Sequence, residues 1–312
     1  VSRFRFSPSR WRIRTVLICA AIIVLVIAGV VVYERHSHST LPWRDSHVAT
    51  SPAPVQTVVP FTGLSGPGAL AVDSAGNVYV ADTGDNRVVK LAPESAAQQV
   101  IGFTDLNRPM DVAADRAGNV YVVDFKDRLL EWVSGRNTQR VIPFSHRESP
   151  VAVAVDPAGN VYVAEQLSKR VVKLAAGTDT PQVLPFTGLE SPGSLAVDSV
   201  GNVYVTDLVN GQVVELVAAS NTQRVLPFAR NANLSTDLTD PGALTVDSAG
   251  NVYVTDNLLR QVLELPASGS TQRVVPFSGL DGPGGLAVDS ADNVYVTDTG
   301  HNRVLKLTVR SQ

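Results

Sequence analysis

The chain has 312 residues and a formal charge of −3, with 44% hydrophobic and 18% charged side chains. Its single cysteine, Cys19, excludes an intrachain disulfide and any cysteine-based metal site or nucleophile in the rest of the chain. Residues 1–33 carry five Arg and no acid, which leaves 21 basic against 29 acidic side chains in 34–312. That acidic balance argues against nucleic acid as a partner, because phosphate binding needs a basic patch.

Thr15 to Tyr33 is a run of 19 uncharged, mostly apolar residues. As a helix it would measure about 28 Å at ~1.5 Å per residue, the hydrocarbon thickness of a bilayer. Arg3, Arg5, Arg10, Arg12 and Arg14 precede it, and the positive-inside rule keeps them in the cytoplasm. The run outlasts a secretory signal and ends Gly29-Val30-Val31-Val32-Tyr33 without a small-x-small cleavage site. The expectation is a basic cytoplasmic segment at 1–14 and a transmembrane helix at 15–33, with the remainder outside a single-pass plasma-membrane anchor. A cleaved signal is the alternative. Residues 34–54 hold Ser, Thr, His and Pro without periodicity and read as a flexible linker. His36, His38 and His47 lack a rigid scaffold there, so a solvated linker is the better reading than a metal site.

From Val55 onward one pattern governs the chain. Gly76-Asn77-Val78-Tyr79-Val80 recurs at Gly118, Gly159, Gly201 and Gly250, and at Asp292 with Asp in place of Gly. Successive Asn positions lie 42, 41, 42, 49 and 42 residues apart, the period of stacked supersecondary units. Each unit predicts four strands, as in Leu70–Asp73, Val78–Ala81, Arg87–Leu91 and Gln98–Phe103, separated by Gly, Asn and Asp turns. Val78 and Val80 face one side and Tyr79 and Ala81 the other, so both faces must be covered. Radially packed blades do this, which predicts an all-β, six-bladed β-propeller over 55–309. The sixth unit stops after its third strand, and Gln56 to Phe61 is an orphan copy of the fourth. The N-terminal strand is therefore expected to complete the last blade and close the ring.

The motifs Pro67-Gly68-Ala69-Leu70-Ala71-Val72-Asp73, Asn77-Val78-Tyr79-Val80-Ala81-Asp82 and Asn86-Arg87-Val88 resemble NHL repeats. Val183–Leu189 and Arg87–Leu91 are similar especially to the extracellular sensor domain of mycobacterial D-type receptor Ser/Thr kinases. The resemblance covers 55–309 and implies a sensor's fold and placement. It carries no kinase activity, since the kinase motifs are absent from this sequence. Val1 is compatible with a translated start or with a cut point downstream of a kinase domain.

Recurring acids have structural roles first. Asp73, Asp115, Asp156, Asp198, Asp247 and Asp289 open the Asp-x-x-Gly-Asn turns. Asp82, Asp124, Glu165 and Asp298 are expected to pair with Arg87, Arg128, Arg170 and Arg303 across the second-to-third loop, whereas Gln212 and Gln261 replace Arg opposite Asp207 and Asp256. The loops of those two blades are thereby expected to be freest for another task. Binding residues are sought on the variable loop face. Its apolar Phe125, Leu167, Leu208, Val209, Leu258 and Leu259 have no evident core role. An insertion from Ala229 to Asp240 adds Asn231, Asn233, Ser235 and Thr236. Met110 and Asp111 are the exceptions to small residues at the mouth of the channel. The candidate ligand-binding set is Met110, Asp111, Phe125, Leu208, Val209, Leu258 and Leu259.

His146 and His301, the histidines of the repeat region, sit roughly opposite one another, and one acid near the axis makes no catalytic pair. The expectation is a binding or sensor propeller for a cell-envelope ligand or protein partner, without catalysis, metal or cofactor. Alternatives are the sensor half of a receptor kinase and a propeller-type lyase or hydrolase.

Overall fold

The structure is a computed structural model, and it describes residues 53–308 apart from 94, 96, 144–147, 179, 230–237 and 270. The predicted basic segment, the membrane helix, most of the linker and His146 lie outside the described residues. Among those described, no helix is long and apolar enough to cross a membrane.

The described strands form six antiparallel four-stranded sheets. In the first blade the strands run outward from the channel as Pro67–Val72, Val78–Asp82, Arg87–Leu91 and Gln99–Val100. The next four blades repeat this order behind inner strands Asp111–Ala114, Pro150–Val155, Pro192–Val197 and Pro241–Val246. The sixth consists of Pro283–Val288, Val294–Asp298 and Arg303–Thr308, completed by Val55–Val59. The register runs from Val55 opposite Thr308 to Val59 opposite Val304, so the predicted ring closure holds.

Every residue of all six second strands is buried, as a strand apolar on both faces requires. Tyr79, Ala81 and Val88 of blade 1 pack against Val112, Val120, Val122 and Leu130 of blade 2. Ala287, Tyr295 and Val304 of blade 6 meet Leu70, Val80 and Val89 of blade 1 in the same way. The core is thus a ring of inter-blade layers, in which each fully buried Val or Leu contributes about 1.5–3 kcal/mol.

The turn acids do what their spacing predicts. Asp73 Oδ1 accepts from the amides of Ala75 and Asn77, and its Oδ2 accepts from Asn77 Nδ2 and the Tyr79 hydroxyl. Gly76 takes φ +78°, and Asp292, which replaces that Gly in blade 6, accepts φ +58°. Burial works to raise Asp156 and Asp289, but bonds from Asn160 and Asn293, from Tyr162 and Tyr295, and from turn amides outweigh it. Both carboxyls end below their ordinary range.

The outer strand of blade 1 is shorter than predicted, Gln99–Val100 instead of Gln98–Phe103. In blades with Pro near this end, the ring removes a ladder donor and the chain folds over it: Phe61 N–H bonds Val59 C=O across Pro60, and Phe228 N–H bonds Leu226 C=O across Pro227. Blade 1 has Gly102 there and makes the same contact from Phe103 to Ile101.

Two recurring devices were not anticipated. The outer-strand Gln clamps the backbone just beyond the preceding blade: Gln98 with Thr62, Gln223 with Thr187, and Gln56 with Ser278 across the ring closure. On the third strands, blades 2, 4 and 5 carry buried Glu131, Glu215 and Glu264, which pair with Arg140, Arg224 and Arg273 on their outer strands. At the same place blades 1, 3 and 6 carry Lys90, Lys173 and Lys306, each over the ring of Tyr79, Tyr162 or Tyr295.

Candidate functional site at the channel mouth and loop face

Loops joining second to third strands, and blade to blade, share one end of the ring. The Asp-x-x-Gly-Asn turns share the other. Strand polarity puts Val55 at the turn end, where Pro54 lies beside Asp247, Ala249 and Asn251, so the chain enters the propeller on the face opposite the loops.

Ion pairs brace the loops as expected. Asp82, Asp124, Glu165 and Asp298 are buried and each meets its Arg; Arg87 Nε and Arg303 Nε both stand 2.7 Å from their carboxylates. In blades 4 and 5 the loops are not freed by loss of Arg, because neutral donors take its place. Asp207 accepts from Asn210 Nδ2 at 2.6 Å and from the amide of Ser191 at 3.0 Å. Asp256 accepts from the Thr239 hydroxyl at 2.8 Å and the Leu259 amide at 2.9 Å. A buried carboxylate needs donors more than it needs a cation. Gln261 Nε2, in the Arg position of blade 5, is buried without a hydrogen-bond partner among the described residues. Within the insertion, Leu238 is buried and Thr239 serves as that brace; Asn231, Asn233, Ser235 and Thr236 lie outside the described residues.

The inner strands enclose a channel of about 490 Å³. At its mouth stand Met110, Asp111, Val151, Gln166, Leu208, Asp240 and Asn257. Three candidates from the sequence, Met110, Asp111 and Leu208, are therefore brought together. Met110 also packs on the core between blades 2 and 3, and Leu208 lies over Gly193, where a Cβ would approach its Cδ2 to 2.8 Å. The inner strands of blades 6 and 1 approach closely at Gly285, where a Cβ would meet Leu70 N at 2.4 Å, so this position excludes a side chain.

Asp111 opens the inner strand of blade 2. Its Oδ1 accepts from Val112 N–H at 2.9 Å and its Oδ2 from Val153 N–H of blade 3 at 2.8 Å. Burial pushes the carboxyl up to about 7, and those two backbone donors only partly oppose the shift.

Phe125, Val209, Leu258 and Leu259 line no part of the channel and stand at the loop tips. Val209 is 71% exposed, Leu258 70% and Phe125 62%, with the Arg108 guanidinium 5.6 Å from the Phe125 ring centre. The corresponding loops of blades 1 and 6 are polar 3-10 turns at Thr83–Asp85 and Thr299–His301, whose threonines bond the backbone of the next blade. His301 Nδ1 lies 2.9 Å from Asp298 Oδ2, in a loop brace.

Reading the sequence singled out Gln261, a Gln where four blades have Arg, but not the burial of its amide. It gave no signal for Asp240, whose place at the mouth depends on how the blades close.

Residues 64–91 and 280–307 match the model of the NHL repeat. No curated protein matches the chain. Solved structures of similar fold include a gluconolactonase from Xanthomonas campestris, at 13% identity and TM-score 0.66, covering 85% of this chain and 94% of that one. A catalytically inactive virginiamycin B lyase from Staphylococcus aureus with quinupristin has 14% identity and TM-score 0.60, covering 83% and 87%. A nidogen/laminin complex has 20% identity and TM-score 0.58, covering 66% and 78%. These likenesses show the fold alone. They do overturn the expectation that the chain is no enzyme. That expectation rested on the missing constellation of side chains, yet lyases and gluconolactonases are built on this architecture, so the fold gives no ground for excluding catalysis. The chain is a six-bladed β-propeller whose first and last repeats match the NHL repeat.

Proposed function

We propose that the propeller is a recognition module that takes a protein partner on its loop face and is anchored through its N-terminal segment. The observation that carries this reading is the asymmetry of the loop face. Phe125, Leu167, Val209 and Leu258 project from blades 2 to 5 with most of their surface in water, whereas the loops of blades 1 and 6, of similar length, carry no large apolar side chain. Exposed apolar tips on rigid, braced loops are costly to keep in water and favour contact with an apolar patch on another protein. The resemblance to a receptor-kinase sensor domain supports a cell-envelope placement with the anchor at residues 15–33 and the propeller outside.

The test is capture by the full chain from solubilised cell envelope of the source cells. Three forms are compared: wild type, Val209→Ser with Leu258→Ser, and Val200→Ser. Val200 is 74% exposed on a turn at the opposite face, so it matches the tips in chemistry but not in place. Partners should be lost from the double variant and retained by Val200→Ser. Equal capture by all three forms would remove the loop-face reading.

A further inference from the structure

Asp111 is the wrong residue for a purely structural position. Its contact with Val153 N–H ties blade 2 to blade 3. Blade 4 makes the same tie with a hydroxyl: Ser194 Oγ accepts from Leu244 N–H of blade 5 at 3.0 Å. A neutral side chain is thus sufficient for the tie, and an ionisable one carries a desolvation cost in this place. Such a cost is retained where it serves a ligand.

The surroundings specify which ligand. Among the described residues lining the channel, Asp111 and Asp240 are acidic and none is Lys, Arg or His. None is aromatic, so the cage that recognises quaternary ammonium groups is missing. Each Asp111 oxygen has one backbone donor and keeps a lone pair for another. Asn257 at the mouth makes no side-chain hydrogen bond to another described residue. Met110, Val151 and Leu208 supply an apolar wall beside these acceptors.

We propose that the channel mouth binds a primary ammonium ligand with a short apolar body, Asp111 being its counter-ion. The cavity, about 490 Å³, is in the range of small-molecule sites. The site is separate from the loop tips that carry the protein-docking reading, and either can fail alone. An ammonium group pairs with the ionised carboxylate, so binding releases a proton wherever Asp111 is protonated in the free protein. The inner strands of the other five blades bring no titratable side chain to face it. Behind it, Val120–Asp124 brings Tyr121, which bonds Asp115, and Asp124, which is paired with Arg128. Asp240 is exposed at the mouth.

The experiment titrates the full chain with n-butylammonium by saturation-transfer NMR between pH 5.5 and 8.5, with butyrate and tetramethylammonium as controls. Saturable binding of n-butylammonium is expected to tighten about tenfold per pH unit below neutrality and to level off above it. Asp111→Ser, which copies the blade 4 tie, should weaken binding more than tenfold above pH 7 and abolish the pH dependence, while Val209→Ser with Leu258→Ser leaves it unchanged. If Asp111→Ser does not fold, the wild-type pH profile and Asp111→Asn decide the matter. No saturable binding, equal binding of butyrate, or an affinity independent of pH would overturn the proposal.

Discussion

Ring closure by Val55–Val59 rests on two contacts that can be removed separately. Val59 is 8% exposed within the layer that holds Leu64, Leu70 and Val304. Val59→Ala deletes two buried carbons' worth of packing, about 2–3 kcal/mol with the cavity included. Gln56 donates to Ser278 C=O at 3.1 Å and accepts from Ser278 N–H at 2.8 Å. These bonds are exposed, so Gln56→Ala costs about 1 kcal/mol, the low end for two hydrogen bonds. The side chains share no partner, and the double variant should lose about 3–4 kcal/mol, a large part of a stability of about 5–15 kcal/mol. Urea unfolding followed by circular dichroism reads this as a midpoint lowered by about 1 M for a slope of about 3 kcal/mol per M. Val58→Ala, at a side chain 57% exposed on the same strand, should move it by less than about 0.5 kcal/mol. A double variant within 1 kcal/mol of wild type would refute closure as a source of stability, as would an unchanged melting temperature after deletion of residues 55–61.

Further outcomes follow from the charged groups. Arg128→Ala leaves the buried Asp124 with only the amides of Asn107 and Lys126 as donors and should cost about 3 kcal/mol in urea melts, whereas Arg260→Ala, whose 2.8 Å pair with Asp281 is exposed on both sides, should cost under about 0.5 kcal/mol. Asp156 and Asp289 titrate below their unfolded range, so their contribution is present above about pH 3.9 and lost as pH falls through the folded values. Asp289→Asn should flatten the acid limb of a melting-temperature profile between pH 2 and 5, and an unaltered limb would refute that assignment. Asp111 has the opposite sign. Its pKa is raised to about 7, so the stability it confers when protonated is lost as pH rises from about 4 through 7. Without ligand, Asp111→Ser should therefore melt higher than wild type at pH 8, with little difference at pH 4.

The repeat region was largely legible before any coordinates, because each unit states its own structure. Apolar residues on both faces of Val78–Asp82 demand cover from two sides, and Asp-x-x-Gly-Asn encodes a turn through local bonds and a positive φ. The orphan Gln56–Phe61 motif identified the closing strand because edges left open must find a partner. The division between Lys90, Lys173 and Lys306 on the one hand and Glu131, Glu215 and Glu264 on the other was also written in the chain, together with Arg on the outer strand wherever Glu stands on the third. It became visible only when the register put Glu215 opposite Arg224.

Function was less legible, for a physical reason. Local sequence determines strands and turns, since their bonds span a few residues. Which side chains share the channel mouth depends on six blades closing a circle, which brings Met110, Leu208 and Asp240 to one opening from three blades. The sequence alone determined six repeats, their turns and the closing strand. Tertiary structure alone decided that Asp111 ties two blades at a desolvated carboxyl, that neutral donors replace Arg beside Asp207 and Asp256, and that the apolar tips stand opposite the entering chain. Desolvation and donor sharing arise between segments distant in the chain, and no local pattern records them.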